Sequence, residues 1–264
     1  MMNISRRGFR LAAFASVVVL LAACVSSGGG KKLAGDGETE AEKAATVNKQ
    51  LGTVYLRQGN LALAKEKLER AEKYNPRDAE LHSVLALLYE RLGNSDEVDK
   101  HYRTAVRLAP KDPQVMNNYA VYLCKNDRMN EGVKLFLQVA RNPLYRTPEL
   151  AYTNAGVCMR KVKRLDEASQ SFKRALSIRP NLPEAAVQLA DLSIEQGNVE
   201  QAREQVDKYL AKYDATPDML MMGVRVTREL GDRVAEEKYT RRLRVEFPES
   251  PQLRALNESR RNPG

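Results

Sequence analysis

The chain has 264 residues, with 43 Lys and Arg against 34 Asp and Glu for a formal net charge of +9, no Trp and three Cys. That length suffices for one large core or for an extended array, so residue pattern must choose between them. The basic residues are interleaved with acidic ones rather than gathered into a stripe with aromatics, which excludes nucleic acid as the expected partner.

In chain order, Arg6, Arg7 and Arg10 come first and lead an uncharged run from Leu11 to Ala23. The run falls short of the ~20 apolar residues that a membrane-spanning helix needs. A positive start, a short apolar stretch and small residues at its end are the marks of an export signal that is removed, here residues 1–23. Leu21-Ala22-Ala23-Cys24 also resembles the lipobox of bacterial lipoproteins. That resemblance implies cleavage before Cys24 and a covalent lipid on its thiol; no other cofactor is expected. An ordinary export signal with an incidental Cys is the alternative. By the same analogy, Val25 in place of an aspartate implies sorting to the outer membrane, on its periplasmic face. The Ser5–Arg10 stretch SRRGFR resembles a twin-arginine export motif as well, although so apolar a run suits general secretion better, and both routes stay open. Loss of the signal would remove three arginines and leave a charge of +6.

Residues 24–43, rich in Gly, Ser and charge, show no apolar periodicity. Such a segment buries too little surface to offset its ordering entropy, so it is expected to be a flexible tether.

Beyond it a period emerges. Gly59-Asn60, Gly93-Asn94, Asn126-Asp127, Lys163-Arg164, Gly197-Asn198 and Gly231-Asp232 recur at steps of 34, with one step of 36. A fixed period of this size marks stacked supersecondary units, and 34 is the length of the helix-turn-helix tetratricopeptide repeat. The residue pattern resembles that repeat too: Gly52, Tyr55, Ala64, Leu68, Ala71 and Pro76 in the first unit, Ala86, Tyr89, Tyr102, Ala105 and Pro110 in the second, and Gly156, Ala168, Phe172, Ala175 and Pro180 in the fourth. Small residues let paired helices approach, and large ones fill the groove between them. The expectation is an all-α, right-handed superhelix of about six units at 45–78, 79–112, 113–148, 149–182, 183–216 and 217–250. The last two match less well, and a capping helix and tail follow from 249 to 264. Two extra residues near "RNPLYRTPE" lengthen the turn between the third and fourth units, the one irregularity expected.

Cys124 and Cys158 fall on neighbouring first helices at nearly equal height, since two positions of difference amount to about 200° of rotation and ~3 Å of rise. A disulfide is expected there; two small buried hydrophobes are the alternative. No catalytic constellation or metal set emerges, and neither an enzyme nor a small-molecule substrate is expected. His82 falls at a core-facing position and His101 on a charged helix, with no second ligand near either at metal spacing, so both are expected to be structural or surface residues.

The repeat family lines its inner wall with the second, fifth, ninth, twelfth and thirteenth positions. The resemblance therefore implies a partner-binding groove that includes Lys49, Thr53, Leu56, Leu87, Asn117, Val121, Thr153, Val157, Arg160, Val187, Ile194 and Met221. A mainly apolar or neutral wall of this kind suits a partly hydrophobic polypeptide segment.

"NNYAVYLC" (117–124), "NPLYRTPE" (142–149), "NAGVC" (154–158) and "FPESPQLRAL" (247–256), with the lipobox and six repeats, resemble the type IV pilus biogenesis and stability lipoprotein family, PilF/PilW. The resemblance implies a pilotin: an outer-membrane lipoprotein that binds the secretin subunit PilQ and promotes its localisation and multimerisation. A general repeat scaffold for another envelope machine, or an activator of a cell-wall enzyme, are the rival readings.

Overall fold

A computed structural model describes residues 39–261; the expected signal and Cys24 lie outside the described residues. The described chain is helical, with no strand. The hairpins are α1 (Glu40–Arg57) with α2 (Leu61–Tyr74), α3 (Ala79–Leu92) with α4 (Ser95–Leu108), and α5 (Pro113–Lys125) with α6 (Met129–Ala140). They continue as α7 (Pro148–Lys161) with α8 (Leu165–Ile178), α9 (Pro183–Glu195) with α10 (Val199–Leu210), and α11 (Pro217–Glu229) with α12 (Arg233–Glu246), and α13 (Pro251–Arg261) closes the stack.

Helix α1 starts earlier than the composition suggests. Residues 40–43, expected as the end of the tether, form its first turn because Thr39 and Glu42 make a capping box: the Glu42 amide donates to Thr39 Oγ1 at 3.2 Å, and the Thr39 amide donates to Glu42 Oε2 at 2.7 Å. Two orphan backbone donors are satisfied at once. At the other end, Ser250 caps α13 through the Leu253 amide at 3.3 Å, and Leu253 and Leu256 are buried against the last repeat.

The six turn positions that define the period, residues 59, 93, 127, 163, 197 and 231, all adopt the left-handed conformation, with φ between 57° and 79°. Four are glycines, which enter that region without a Cβ clash. The others are Asp127 (φ 57°) and Lys163 (φ 60°). Prolines 76, 110, 180 and 248 lie two residues beyond the ends of α2, α4, α8 and α12, where they cannot continue a helix.

Within each hairpin the packing repeats. Leu68, Tyr102, Phe136, Phe172 and Val206 occupy equivalent positions of successive second helices, each no more than 1% exposed. Opposite them on the first helices stand Gly52, Ala86, Ala120, Gly156 and Ala190. A Cβ on Gly156 would come within 2.5 Å of Phe172 Cε1, so the ring occupies the space that a side chain would need. The sixth hairpin slips by one residue, with Gly223 facing the Tyr239 ring and the standard positions filled by buried Val224 and Thr240. That slip explains why its residue pattern is the loosest of the six.

The turn between α6 and α7 is long, residues 141–147, as expected. A second long connection, residues 211–216, joins α10 to α11 because α10 stops early at Leu210 while the period is kept. Cys124 in α5 and Cys158 in α7 are disulfide-bonded, with Cα atoms 5.7 Å apart.

Candidate partner-binding groove

Each first helix packs beside the first helix of the next repeat, so α1, α3, α5, α7, α9 and α11 form one continuous wall. Charged pairs lace it. Lys49 Nζ donates to Asp78 at 2.8 Å and to Glu80 at 2.6 Å. Burial opposes the charges of both Lys49 and Asp78, yet their mutual bond, with help from the Glu80 carboxylate and the Leu81 amide, outweighs it. The Lys49 ammonium is held above the usual lysine range and the Asp78 carboxyl below the usual aspartate range. Lys125 reaches Glu90 at 3.1 Å. Farther along, Arg160 donates to Gln188 at 2.7 Å, Asp191 at 2.8 Å and Glu195 at 3.1 Å. Asp191 also pairs with Arg225 of α11, so one carboxylate spans three repeats.

Between these pairs lie the apolar positions. Val157 borders a cleft of about 280 Å³ with Arg160, Gln188 and Glu195. Val187 and Met221 line a larger one, about 470 Å³, with Met222, Val224 and Arg228. A wall of this kind offers a polypeptide both apolar seats and charged partners for its backbone and side chains.

The expected groove residues divide. Leu87 is exposed, and Lys49, Thr53, Asn117, Val121, Val157, Arg160, Val187, Ile194 and Met221 are half-buried. Two belong elsewhere. Leu56, 5% exposed, packs in the core with Leu68, Leu81 and Leu85, because it faces the second repeat rather than the open side. Thr153 is 6% exposed and spends its hydroxyl hydrogen on the Glu149 carbonyl of its own helix at 2.8 Å, so it is buried rather than presented on the open side. Asp191 and Arg225 were missed, although both hold the ninth position of their repeats and the register alone could have named them.

His82 is buried, as its core-facing position predicts, but the expectation that no second ligand group lies near either histidine does not hold. His101 is not a surface residue: it is 3% exposed, stacks on Tyr89 with centroids 5.4 Å apart, and meets His82 Nδ1 to Nδ1 at 2.9 Å. Burial, reinforced by the adjacent His82, pushes the His101 imidazole down to about 4. The two rings are 19 residues apart in the chain, so no local spacing announced the pair.

Profiles of the tetratricopeptide repeat match residues 49–113 and 160–222. With six stacked hairpins and this inner wall, the chain has the tetratricopeptide-repeat fold, in which neighbour-to-neighbour packing builds an extended surface. Among proteins of that fold it is similar to type IV pilus proteins. The type IV pilus assembly protein PilF of Pseudomonas aeruginosa is 28% identical over 240 residues, 89% of this chain and 94% of that one. The crystal structure of PilW, described as a widely conserved type IV pilus biogenesis factor, superposes with a TM-score of 0.67 at 27% identity, covering 81% of this chain and 98% of that one. A structure of the Pseudomonas aeruginosa PilF gives 0.65 at 25% identity, with 84% and 100% covered. The resemblance to PilF and PilW drawn from the Cys-bearing segments is borne out in both sequence and fold. The likeness to a MamA structure, at 16% identity and a TM-score of 0.56, concerns the fold alone.

Proposed function

We propose that this protein is a pilotin for type IV pilus biogenesis, lipid-anchored through Cys24 to the periplasmic face of the outer membrane, where its groove binds secretin subunits and promotes their localisation and multimerisation. The similarity to PilF and PilW over nearly the whole length of those proteins carries this reading. An anchor confines the repeat array to the surface where secretin subunits insert, which raises its effective concentration there. The mixed groove would hold an aggregation-prone secretin segment until the ring assembles. Neither catalysis nor a small molecule enters this mechanism; binding and confinement perform it.

Two variants test it. Cys24→Ala should leave a folded but mislocalised protein with few secretin multimers in the outer membrane; normal multimers in that strain would defeat the anchoring half of the proposal. Met221→Glu places a charge in the C-terminal cleft and should weaken crosslinking to secretin in a protein that still melts cooperatively. Adducts containing other envelope components and no secretin would favour a general scaffold instead.

A further inference from the structure

Glu72 near the end of α2, His82 in α3 and His101 in α4 each offer one ligand atom, and these atoms lie within 4.8 Å of one another. The imidazoles meet through Nδ1 atoms 2.9 Å apart, and Glu72 Oε1 stands 3.8 Å from the His82 Nδ1. Their far nitrogens are already committed. His82 Nε2 is 3.0 Å from the Pro76 carbonyl oxygen, which can only accept, so that nitrogen carries the hydrogen. His101 Nε2 is 3.4 Å from a Glu97 carboxylate oxygen, which favours a hydrogen on Nε2 there too once a cation takes Nδ1. Both rings then aim an Nδ1 lone pair at the same small volume, beside a carboxylate. Without a cation, a hydrogen on one Nδ1 bridges the pair at 2.9 Å; a cation that takes its place would be held by both lone pairs. Both histidines are buried, His82 at 4% and His101 at 3% exposed.

We propose that Glu72, His82 and His101 form a binding site for a borderline divalent cation of the zinc type, bound through Glu72 Oε1 and the two Nδ1 atoms. Water completes the shell on the side of Glu72, whose side chain is 33% exposed. Two imidazoles and one carboxylate are a zinc ligand set, whereas Mg²⁺ and Ca²⁺ prefer oxygen throughout. Tetrahedral Zn–N bonds of about 2.0–2.1 Å set the nitrogens ~3.3 Å apart, so the rings need to part by only about 0.4 Å. The Pro76 carbonyl and the Glu97 carboxylate are the outer partners that ligating histidines use to fix tautomer and orientation. The metal would tie the first repeat to the second, as the disulfide ties the third to the fourth, and neither the pilus similarity nor the groove calls for it.

The test uses the full chain, stripped with a chelator and titrated with ZnCl₂ by calorimetry, while histidine side-chain ¹⁵N spectra report which nitrogens respond. One equivalent should bind, both Nδ1 resonances should move, and the melting temperature should rise. Glu97→Gln, an outer partner only, should weaken binding about tenfold or more. Because replacing a buried histidine can impair folding, the half-exposed Glu72→Gln keeps the test decisive: it should fold and bind at least about tenfold more weakly. Absence of binding, unmoved Nδ1 resonances, or binding that survives Glu72→Gln undiminished would each overturn the assignment.

Discussion

Cys124 and Cys158 lie 34 residues apart in the chain, one repeat period, and their Cα atoms stand 5.7 Å apart across the α5–α7 contact. The bond closes a loop that contains the whole of α6 and the long turn before α7. Cross-linking a loop of this length removes chain entropy from the unfolded state, by about 3–4 kcal/mol on the loop-closure estimate. The double variant Cys124→Ala, Cys158→Ala should lower stability by about 2–4 kcal/mol, read as a lower urea midpoint with a steeper slope, because the unlinked unfolded chain exposes more surface. Adding reductant to the parent should reproduce the loss, and reductant should leave the double variant unaffected.

Gly156 and Phe172 define the close approach in the fourth hairpin. Because the ring sits where a Cβ would go, Gly156→Ala should cost about 1–3 kcal/mol through overpacking, despite the better intrinsic helix propensity of alanine. Thermal unfolding measured alongside Gly156→Ala, Phe172→Leu would check the cause, since a smaller partner should recover part of the loss.

Lys163 offers the opposite sign. Its φ of 60° lies in a region where an L side chain is strained. The ion pair from its Nζ to Glu195, 2.7 Å long, is made by a side chain 77% exposed and contributes little. Lys163→Gly should therefore raise stability by about 0.5–1 kcal/mol, measurable as a higher urea midpoint.

Asp99 connects the second repeat to the third, accepting bonds from Tyr119 Oη at 2.9 Å and from Arg103 and Arg128, both at 2.5 Å. Burial opposes its charge, but those bonds outweigh it and hold the carboxyl below the usual aspartate range. A depressed folded pKa contributes stability that is complete above the unfolded value and is lost as pH falls through the folded one. Asp99→Asn should cost about 1–3 kcal/mol near neutrality, and the gap from the parent should close as pH drops below about 4. Parallel urea titrations at several pH values would show that convergence.

What the residue order determined by itself is the local and the periodic. Six left-handed turns at a regular interval, small residues facing large ones, and prolines past helix ends depend on contacts within one hairpin or between identical neighbours, so their spacing is visible in the string. The cysteine pair was legible for the same reason: register alone puts both on adjoining first helices at one height. The start of α1 was also local and could have been read from Thr39 and Glu42.

Tertiary packing decided the rest. Whether Leu56 faces the core or the groove, and whether Thr153 is open to a partner, depends on how far each helix is rotated against its neighbours, and an average repeat position does not specify that rotation. His82 and His101 face one another inside the second hairpin, and Glu72 joins them from α2 only when the first two repeats dock. Distance along the chain carries no trace of such convergence, because it is the packing of the faces of α2, α3 and α4 that brings their ligand atoms together.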